Sequence, residues 1–491
     1  MKARAQKARA MEKTTTESLL DLARPYARLR SRVNTFVEPH PALEAAQLEA
    51  VRKLASAFEA KFAQVLGGRK WFSHFEAWLW TSRGTIELQD AKAVSVLLVN
   101  ASDIELIRKL TAAGVGPADA ASMCNCLSEL AASLRGQLER LSPQLRAHPG
   151  VVRNTPSATT PLVTLTCAGV DVHCTREHLE KLRLLYETTC ARHARARARR
   201  RGRGAATVSA AGRIDSGHIG TLGFFDGELG GAVAGSLGPS RKRARAQPNL
   251  PSAPQGMGAA SKKEPYDEAH FVAHAYCCLA RVLALQGGHE KAGGMQAACP
   301  AAVFDCLRIH LGVAAELFAS PLNARFPVYC SASADVDAPF GSVGSFFDAK
   351  PRRGAYLANP PFVPVVVDAM FARMARLLKI ACRTGEALTF VVVIPHWPEK
   401  RCWQGIATNR HMRCHLLLLQ QEHGYVEGGQ QYQAEQRWRP SNHDSSVFCL
   451  QSDEAAAAIP VTAAVQRAVR DAFQSHCTRS KRFARRASGA D

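Results

Sequence analysis

"GAYLANPPFVPVVVDAM", residues 354–370, decides how the C-terminal half of this chain is read. It opens on a short apolar run that suits a strand and closes on a pattern that suits a helix. Between them stand Asn359, Pro360, Pro361 and Phe362. Two prolines in succession fit neither the interior of a strand nor that of a helix. The four residues therefore form a loop at the end of a strand, either a rigid link or a loop that grips a ligand.

Working outward, the same alternation continues on both sides. "YDEAHFVAHAYCCLARVLALQGG" reads as a helix stopped by two glycines, "PAAVFDCLRIHLG" as a second, and "VAAELFAS" as a buried strand. After the loop, "VPVVVDAMFARMARLLKIA" reads as a helix, and "ALTFVVVIP", "HLLLLQQEH" and "SSVFCLQ" as strands. Strands alternating with helices predict an α/β fold with a largely parallel sheet and ligands at the strand carboxyl ends. Three loops then leave strands on one rim: Ala319–Asn323, Asn359–Phe362 and Pro395–Trp397.

The Asn359 loop has a chemical logic of its own. An exocyclic amine on adenine is a poor nucleophile, because its lone pair is delocalised into the ring. Two acceptors aimed at its N–H groups turn it toward a tetrahedral, more reactive amine. The Asn359 side-chain oxygen suits one acceptor, and the Pro360 carbonyl, held by the following Pro361, suits the other. Phe362 then stacks on the base, a contact worth about 1–3 kcal/mol. Preorganised acceptors carry such a reaction without a metal or a strong base.

Asn-Pro-Pro-aromatic after a strand resembles motif IV of the S-adenosylmethionine-dependent amino methyltransferases, which act on adenine, guanine or glutamine nitrogens. With "ELFASPLN" (316–323), "FGS" (340–342), "DAM" (368–370), "IPHW" (394–397) and "EHGYVEGGQ" (422–430) in order, the chain resembles the phosphorylated-CTD-interacting-factor family of cap-specific adenosine N6-methyltransferases. The resemblance runs from about Pro300 to Leu450, and more weakly to the segments before it. It implies a Rossmann-like class I methyltransferase domain beside an N-terminal helical domain, and S-adenosylmethionine as cofactor. The implied reaction is methylation at N6 of the first transcribed adenosine, usually 2′-O-methylated, beside a 7-methylguanosine cap. Asn359, Pro360, Pro361 and Phe362 would form the catalytic loop, with Asn359 and Phe362 also touching the cofactor. Ser320, Pro321 and Asn323 would line the cofactor cleft, and Asp335 or Asp337 would hold its ribose unless simply solvated. Trp397, Glu399 and Arg401 would lie near the RNA or cap. The family's animal members carry a WW domain, and no such pattern is found here: Trp71, Trp78 and Trp80 are too close together and sit in a helical pattern. The chain is therefore expected to lack that domain and the recruitment to transcription it provides. Rival readings are amino methylation of internal RNA, DNA or a protein glutamine, and a non-catalytic RNA- or cap-binding protein that keeps the fold.

The remainder sets the boundaries. A chain of 491 residues with 46% hydrophobic content can bury a large core. No apolar run reaches the roughly 18 residues of a membrane span, and the basic N-terminus lacks the apolar stretch of a secretory signal. The 15 cysteines include no Cys-x-x-Cys pair, so buried reduced thiols are expected and a metal site is not. Residues 18–141 read as helical, with Trp71, Phe75 and Trp78 on one face; "PLVTLTCAGVDVHC" reads as a hairpin and "TREHLEKLRLLYETTC" as a helix capped by Thr175. The net charge of +21 concentrates in Lys2–Arg9, Arg192–Arg203, Arg241–Arg245 and Arg479–Arg486, which hold 20 of the 63 Lys and Arg residues. Such tracts suit a polyanion partner or nuclear import, so a nuclear location is expected, with the cytoplasm as alternative. The expected organisation is a basic tail (1–14), a helical accessory or RNA-binding domain (15–190) and a disordered Arg/Gly/Ala-rich insertion (191–264). The methyltransferase domain (265–458) and a C-terminal helix with a basic tail (459–491) follow.

Overall fold

The computed structural model describes residues 39–66, 71–87, 104–147, 150–157, 160–209, 267–289, 294–433 and 436–487, with residues 6 and 97 besides. Side chains at 83–87, 194–209 and 476–487 fall outside that description. One compact unit comprises Met1–Arg192 and Asp267–Asp491, and a second His193–Tyr266.

Helix α1 (Pro41–Phe62) starts with a proline, whose missing N–H is no loss in a first turn, and buries Leu48, Val51, Leu54, Phe58 and Phe62. Helix α2 (Trp71–Glu87) lays Trp71, Phe75 and Trp78 around Phe58, with ring centroids 6.2, 5.1 and 5.8 Å away. These rings are buried, so the aromatic face is core. Helices α3 (Ile104–Ala112) and α4 (Pro117–Ala147) complete the helical part. A further short helix expected near Ala91–Val99 lies outside the described residues, Leu97 excepted.

Strands β1 (Arg153–Pro156), β2 (Leu162–Cys167) and β3 (Val170–Thr175) form an antiparallel ribbon in that order. Ala168 and Gly169 both take positive φ, 49° and 78°, the twist that a two-residue hairpin turn requires. The Thr175 hydroxyl then accepts the His178 amide at 3.2 Å, capping helix α5 (Arg176–Ser209). This helix runs past Ala191, where the disordered insertion was expected to begin. Arg and Ala are strong helix formers, and they extend it to Ser209. The rest of that stretch, 210–264, lies outside the described residues.

The C-terminal part is a mixed α/β arrangement. Helix α6 (Glu268–Leu285) is capped by Asp267, and α7 (Ala301–Leu311) leads into β4 (Val313–Glu316). A single turn, α8 (Ala334–Asp337), precedes β5 (Gly354–Ala358), α9 (Pro364–Thr384), β6 (Leu388–Pro395) and α10 (Arg401–Ala407). Then come β7 (Met412–Leu418), a small ribbon of β8 (Gly424–Val426) and β9 (Trp438–Pro440), β10 (Ser445–Gln451), α11 (Asp453–Ala458) and α12 (Ala463–Ala487). The main sheet has the order β4-β5-β6-β10-β7. β4, β5 and β6 are parallel, while β10 runs antiparallel to both its neighbours. Single-residue parallel bridges, Glu316 to Tyr329 and Tyr329 to Ser342, carry the sheet on beyond β4. β4 is thus internal: the chain goes from it to Tyr329 on one side and to β5 on the other. Its carboxyl end is a topological switch point, where open α/β sheets bind ligands.

Both faces of the sheet are covered, which explains its unbroken apolar strands. Ala355, Leu357, Val391 and Val393 join the cluster of α7 and α12. Tyr356, Ala358, Phe390, Val392 and Ile394 join Val367, Met370, Met374 and Leu378 of α9. A buried ion pair ties the helical part to the sheet part: Arg281 of α6 bonds Glu44 of α1 at 2.5 Å and Asp335 of α8 at 3.0 Å. Among the described residues no helix is long and apolar enough to cross a membrane, and the described cysteines are free thiols, nine of them buried.

Candidate functional site

Because β4, β5 and β6 are parallel, the loops after them emerge along one edge. The Asn359 loop follows directly on β5. The Asn359 amide is fixed by its nitrogen, which donates to the Ala297 carbonyl at 2.9 Å. Its Oδ1 is buried and has no hydrogen-bond partner. An orphan buried oxygen costs about 1–3 kcal/mol, so its persistence here points to an external donor. The Val363 amide turns back to the Pro361 carbonyl at 2.7 Å. Among the described residues nothing donates to the Pro360 carbonyl next door, and Pro364, four residues on, has no N–H with which to claim it. Two acceptors thus stand side by side at the head of α9.

Phe362 lies beside them, half-buried. It meets Tyr425 and His443 edge-on, at 5.9 and 5.7 Å between centroids. The Tyr425 hydroxyl and His423 Nε2 both bond Ser445 Oγ at 2.8 Å. Burial lowers the pKa of His423 and His443 and raises that of Tyr425, so this cluster is uncharged at neutral pH. His443 Nε2 is a second buried atom without a partner.

Beside Asn359 a narrow cleft, with enclosed room for about one water molecule, opens between the ends of β4 and β5. Asn359, Asn323, Glu316, Phe318, Cys299 and Leu357 line it. Asn323 shapes the turn after β4: its Oδ1 accepts the Ser320 amide at 2.7 Å, and its Nδ2 donates to the Gln296 carbonyl at 3.1 Å. Ser320 Oγ bonds Gln296 Oε1 at 2.8 Å, and Pro321 is buried behind the turn. The Glu316 carboxylate accepts the Arg325 and Phe326 amides at 2.7 and 3.0 Å. Burial outweighs those bonds and pushes its pKa up to about 7. Gly428 crosses so closely that a Cβ there would stand 2.4 Å from the Gln296 carbonyl, so only glycine fits.

The other expected residues are placed differently. Asp335 and Asp337 are neither solvated nor among the cleft-lining residues. Asp335 is committed to Arg281, and Asp337 is buried beside Cys278 Sγ at 3.6 Å, its pKa pushed up to about 7 by burial. Local sequence does not show a cation arriving from α6. Trp397 packs against the cluster under α9, while Glu399 and Arg401 are exposed on the way into α10. The segment 294–298, which supplies the Gln296 and Ala297 carbonyls, carries no periodic pattern that would mark it in the sequence. Among the described residues one group places metal-ligand atoms within 4.8 Å of one another: Cys382, His411 and Asp453. There Asp453 already pairs with Arg413 at 2.5 Å and Arg410 at 3.7 Å, two cations that oppose a third.

The geometry defines a sheet-rim cleft beside paired acceptors and an aromatic ring, and comparison with known proteins narrows it. The family model described as "Phosphorylated CTD interacting factor 1 WW domain" matches residues 256–428. This corrects the expectation of a chain without that domain. The matched stretch runs from ahead of α6 to the end of β8 and includes the Asn359 loop, whereas Trp71, Trp78 and Trp80, the tryptophans weighed, belong to the α2 core.

Two curated relatives are similar to part of the chain. The human "mRNA (2'-O-methyladenosine-N(6)-)-methyltransferase" is 37% identical over 187 residues. The mouse protein of the same name is 36% identical over 186. In both cases the match covers 37% of this chain and 26% of the relative, so the chain spans about a quarter of the length of the relatives it matches.

Proposed function

We propose that this chain transfers a methyl group from S-adenosylmethionine to N6 of the adenosine next to the cap of an mRNA. The observation that carries this reading is the buried, unpartnered Asn359 Oδ1, followed in sequence by a Pro360 carbonyl that no described residue bonds. The similarity to two enzymes named for N6 methylation of 2′-O-methyladenosine supports it. So does the strand order running from Ser342 through Tyr329, β4, β5, β6 and β10 to β7, with only β10 reversed. We read that order as a Rossmann-like methyltransferase sheet with its cleft at the switch point.

The donor fits the residues present: an orphan buried acceptor, a carboxyl and an asparagine line a partly apolar cleft at the end of β4. Asn323 and Asn359 would hold it, with Ser320 and Pro321 shaping the turn behind. When bound, it supplies an electrophilic methyl group. The chain's own part is to orient the amine. Asn359 Oδ1 and the Pro360 carbonyl each accept one N–H, which localises the nitrogen lone pair. Phe362, braced by Tyr425 and His443, stacks on the base and fixes its plane. Glu399 and Arg401, exposed beside the neighbouring loop, face the RNA, and Trp397 anchors that loop in the cluster under α9. The helical region binds RNA as an accessory domain, and the basic tracts attract phosphate and direct the protein to the nucleus. The matched WW description favours a protein partner in transcription.

The test is methyl transfer to short RNAs beginning with 7-methylguanosine-capped A, capped G or uncapped A, read by nucleoside mass spectrometry. Transfer to capped A alone is expected. Equal transfer to uncapped A removes the cap from the reading, and undiminished transfer by Asn359→Ala removes the mechanism.

A further inference from the structure

The turn after β4 is held from three directions. Asn323 ties it to itself and to the Gln296 carbonyl. Glu316 receives the amides of Arg325 and Phe326 from below. The third tether comes from the helical part: Lys181 of α5, half-buried, donates from Nζ to the Leu322 carbonyl at 2.6 Å. Leu322 lies between Pro321 and Asn323, so this bond seats on the wall of the cleft.

The start of α5 also grips the loop on the far side of Gln296. The Thr175 amide donates to the Gln430 carbonyl at 2.9 Å, and Gln430 Nε2 returns to the His173 carbonyl at 2.9 Å. Arg437 reaches Glu177 at 3.0 Å. The end of β3 and the first turns of α5 therefore clamp both loops that meet at Gln296. Lys181 is the contact made next to Asn323, which lines the cleft. We propose that Lys181 is a positioning residue through which α5 holds the Ser320–Asn323 turn in the shape that binds the methyl-donor nucleoside. This rests on the reading of the cleft as a donor site.

The charge of Lys181 matters to the bond, since an ammonium is a stronger donor to a carbonyl than an amine. Burial lowers its pKa to about 8. Glu316 from β4 and Glu177 from its own helix favour the charged form, while Arg437 and Arg325 oppose it. The base is neutralised as pH rises past 8, and the tether weakens with it. Arginine at this position stays charged.

The experiment measures S-adenosylhomocysteine binding by calorimetry for the full chain and for K181M, K181R and N359A, with capped-RNA affinity alongside. K181M is expected to bind the nucleoside about tenfold more weakly, the scale of one hydrogen bond to a charged group, with RNA affinity unchanged. K181R is expected to keep wild-type affinity and to lose the decline that the wild type shows above pH 8. Failure of the wild-type protein to bind S-adenosylhomocysteine overturns the donor-site reading itself. Wild-type binding with equal affinity in K181M overturns only the role of Lys181. Should K181M lose its cooperative melt, the pH profile of K181R decides, and a slope parallel to wild type overturns the proposal.

Discussion

Two aromatic clusters lie at opposite ends of the chain, and they differ in one respect. Around Phe58, the rings of Phe62, Phe75 and Trp78 close on one another with nothing titratable among them. Around Phe362, the partners are Tyr425, His443 and, through Ser445, His423. The rings of the first cluster bury surface and carry no unpaired polar atom, although Glu76 Oε1 and Trp80 Nε1 on the same helix α2 are buried without a partner. The second spends buried volume on hydroxyl and imidazole groups, leaves His443 Nε2 unsatisfied and adjoins the orphan Asn359 Oδ1. A fold keeps such costs where something else repays them. Unpaired polar atoms occur beside both clusters, so what marks the rim is that they adjoin the Asn359 loop at the end of β5.

Substitution separates the two. Trp78→Ala empties a fully buried ring position and should cost about 3–5 kcal/mol of stability, read as a lower denaturation midpoint. Asn359→Ala should change the melt only slightly, since the loss of the Nδ2 bond to the Ala297 carbonyl is offset by removal of the orphan Oδ1. Methyl transfer should fall by about 10²–10³-fold, the size of losing one preorganised electrostatic contact. A large stability loss in Asn359→Ala would place that loop with the dry cluster. Phe362→Ala comes next: its half-buried ring predicts a small change in melting. Affinity for the capped RNA should fall by the equivalent of about 1–3 kcal/mol, the worth of one stacked base.

What was legible in the sequence follows the same division. The strand before Asn359, the helix after Pro364 and the Ala168-Gly169 hairpin are written in neighbours, by periodicity, proline position and turn residues. The Trp71 face announced its burial by helical spacing. The sheet beyond β4 was not legible, because Tyr329 and Ser342 join it through single bridges too short to leave an alternating pattern. Nor was the fate of Asp335, whose partner Arg281 is 54 residues away, or the tether from Lys181, 141 residues from Leu322. The loop's motif is local, while the walls that give it a cleft come from two other segments, 298–304 and 316–323.

A smaller effect tests how the rim is braced. Tyr425→Phe removes one hydroxyl from Ser445 and should cost about 0.5–1.5 kcal/mol, because His423 still bonds that serine. Methyl transfer should decline modestly through a looser Phe362. An unchanged rate with the same stability loss would mean that Tyr425 packs the rim without orienting the ring.

The weakest expected effect is also the one that distinguishes the clusters without removing a ring. Burial depresses the pKa of His423 and His443 below the ordinary 6.5, so the unfolded chain takes up protons at a pH where the folded rim does not. The stability these neutral imidazoles contribute is fully present above 6.5 and is lost as pH falls below it toward their depressed values. Buried His178 and His411 and half-buried His415 shift in the same direction, while the raised carboxyls of Glu316 and Asp337 act the other way. The informative quantity is the change in slope for each variant. His443→Asn removes one of these groups and should flatten the fall of melting temperature below pH 6.5. Phe58→Leu should lower the melting temperature by a constant amount across the same range, having no proton to exchange. A slope unchanged by His443→Asn would mean that His443 titrates alike in both states, and the rim would then be no more costly to keep neutral than the cluster around Phe58.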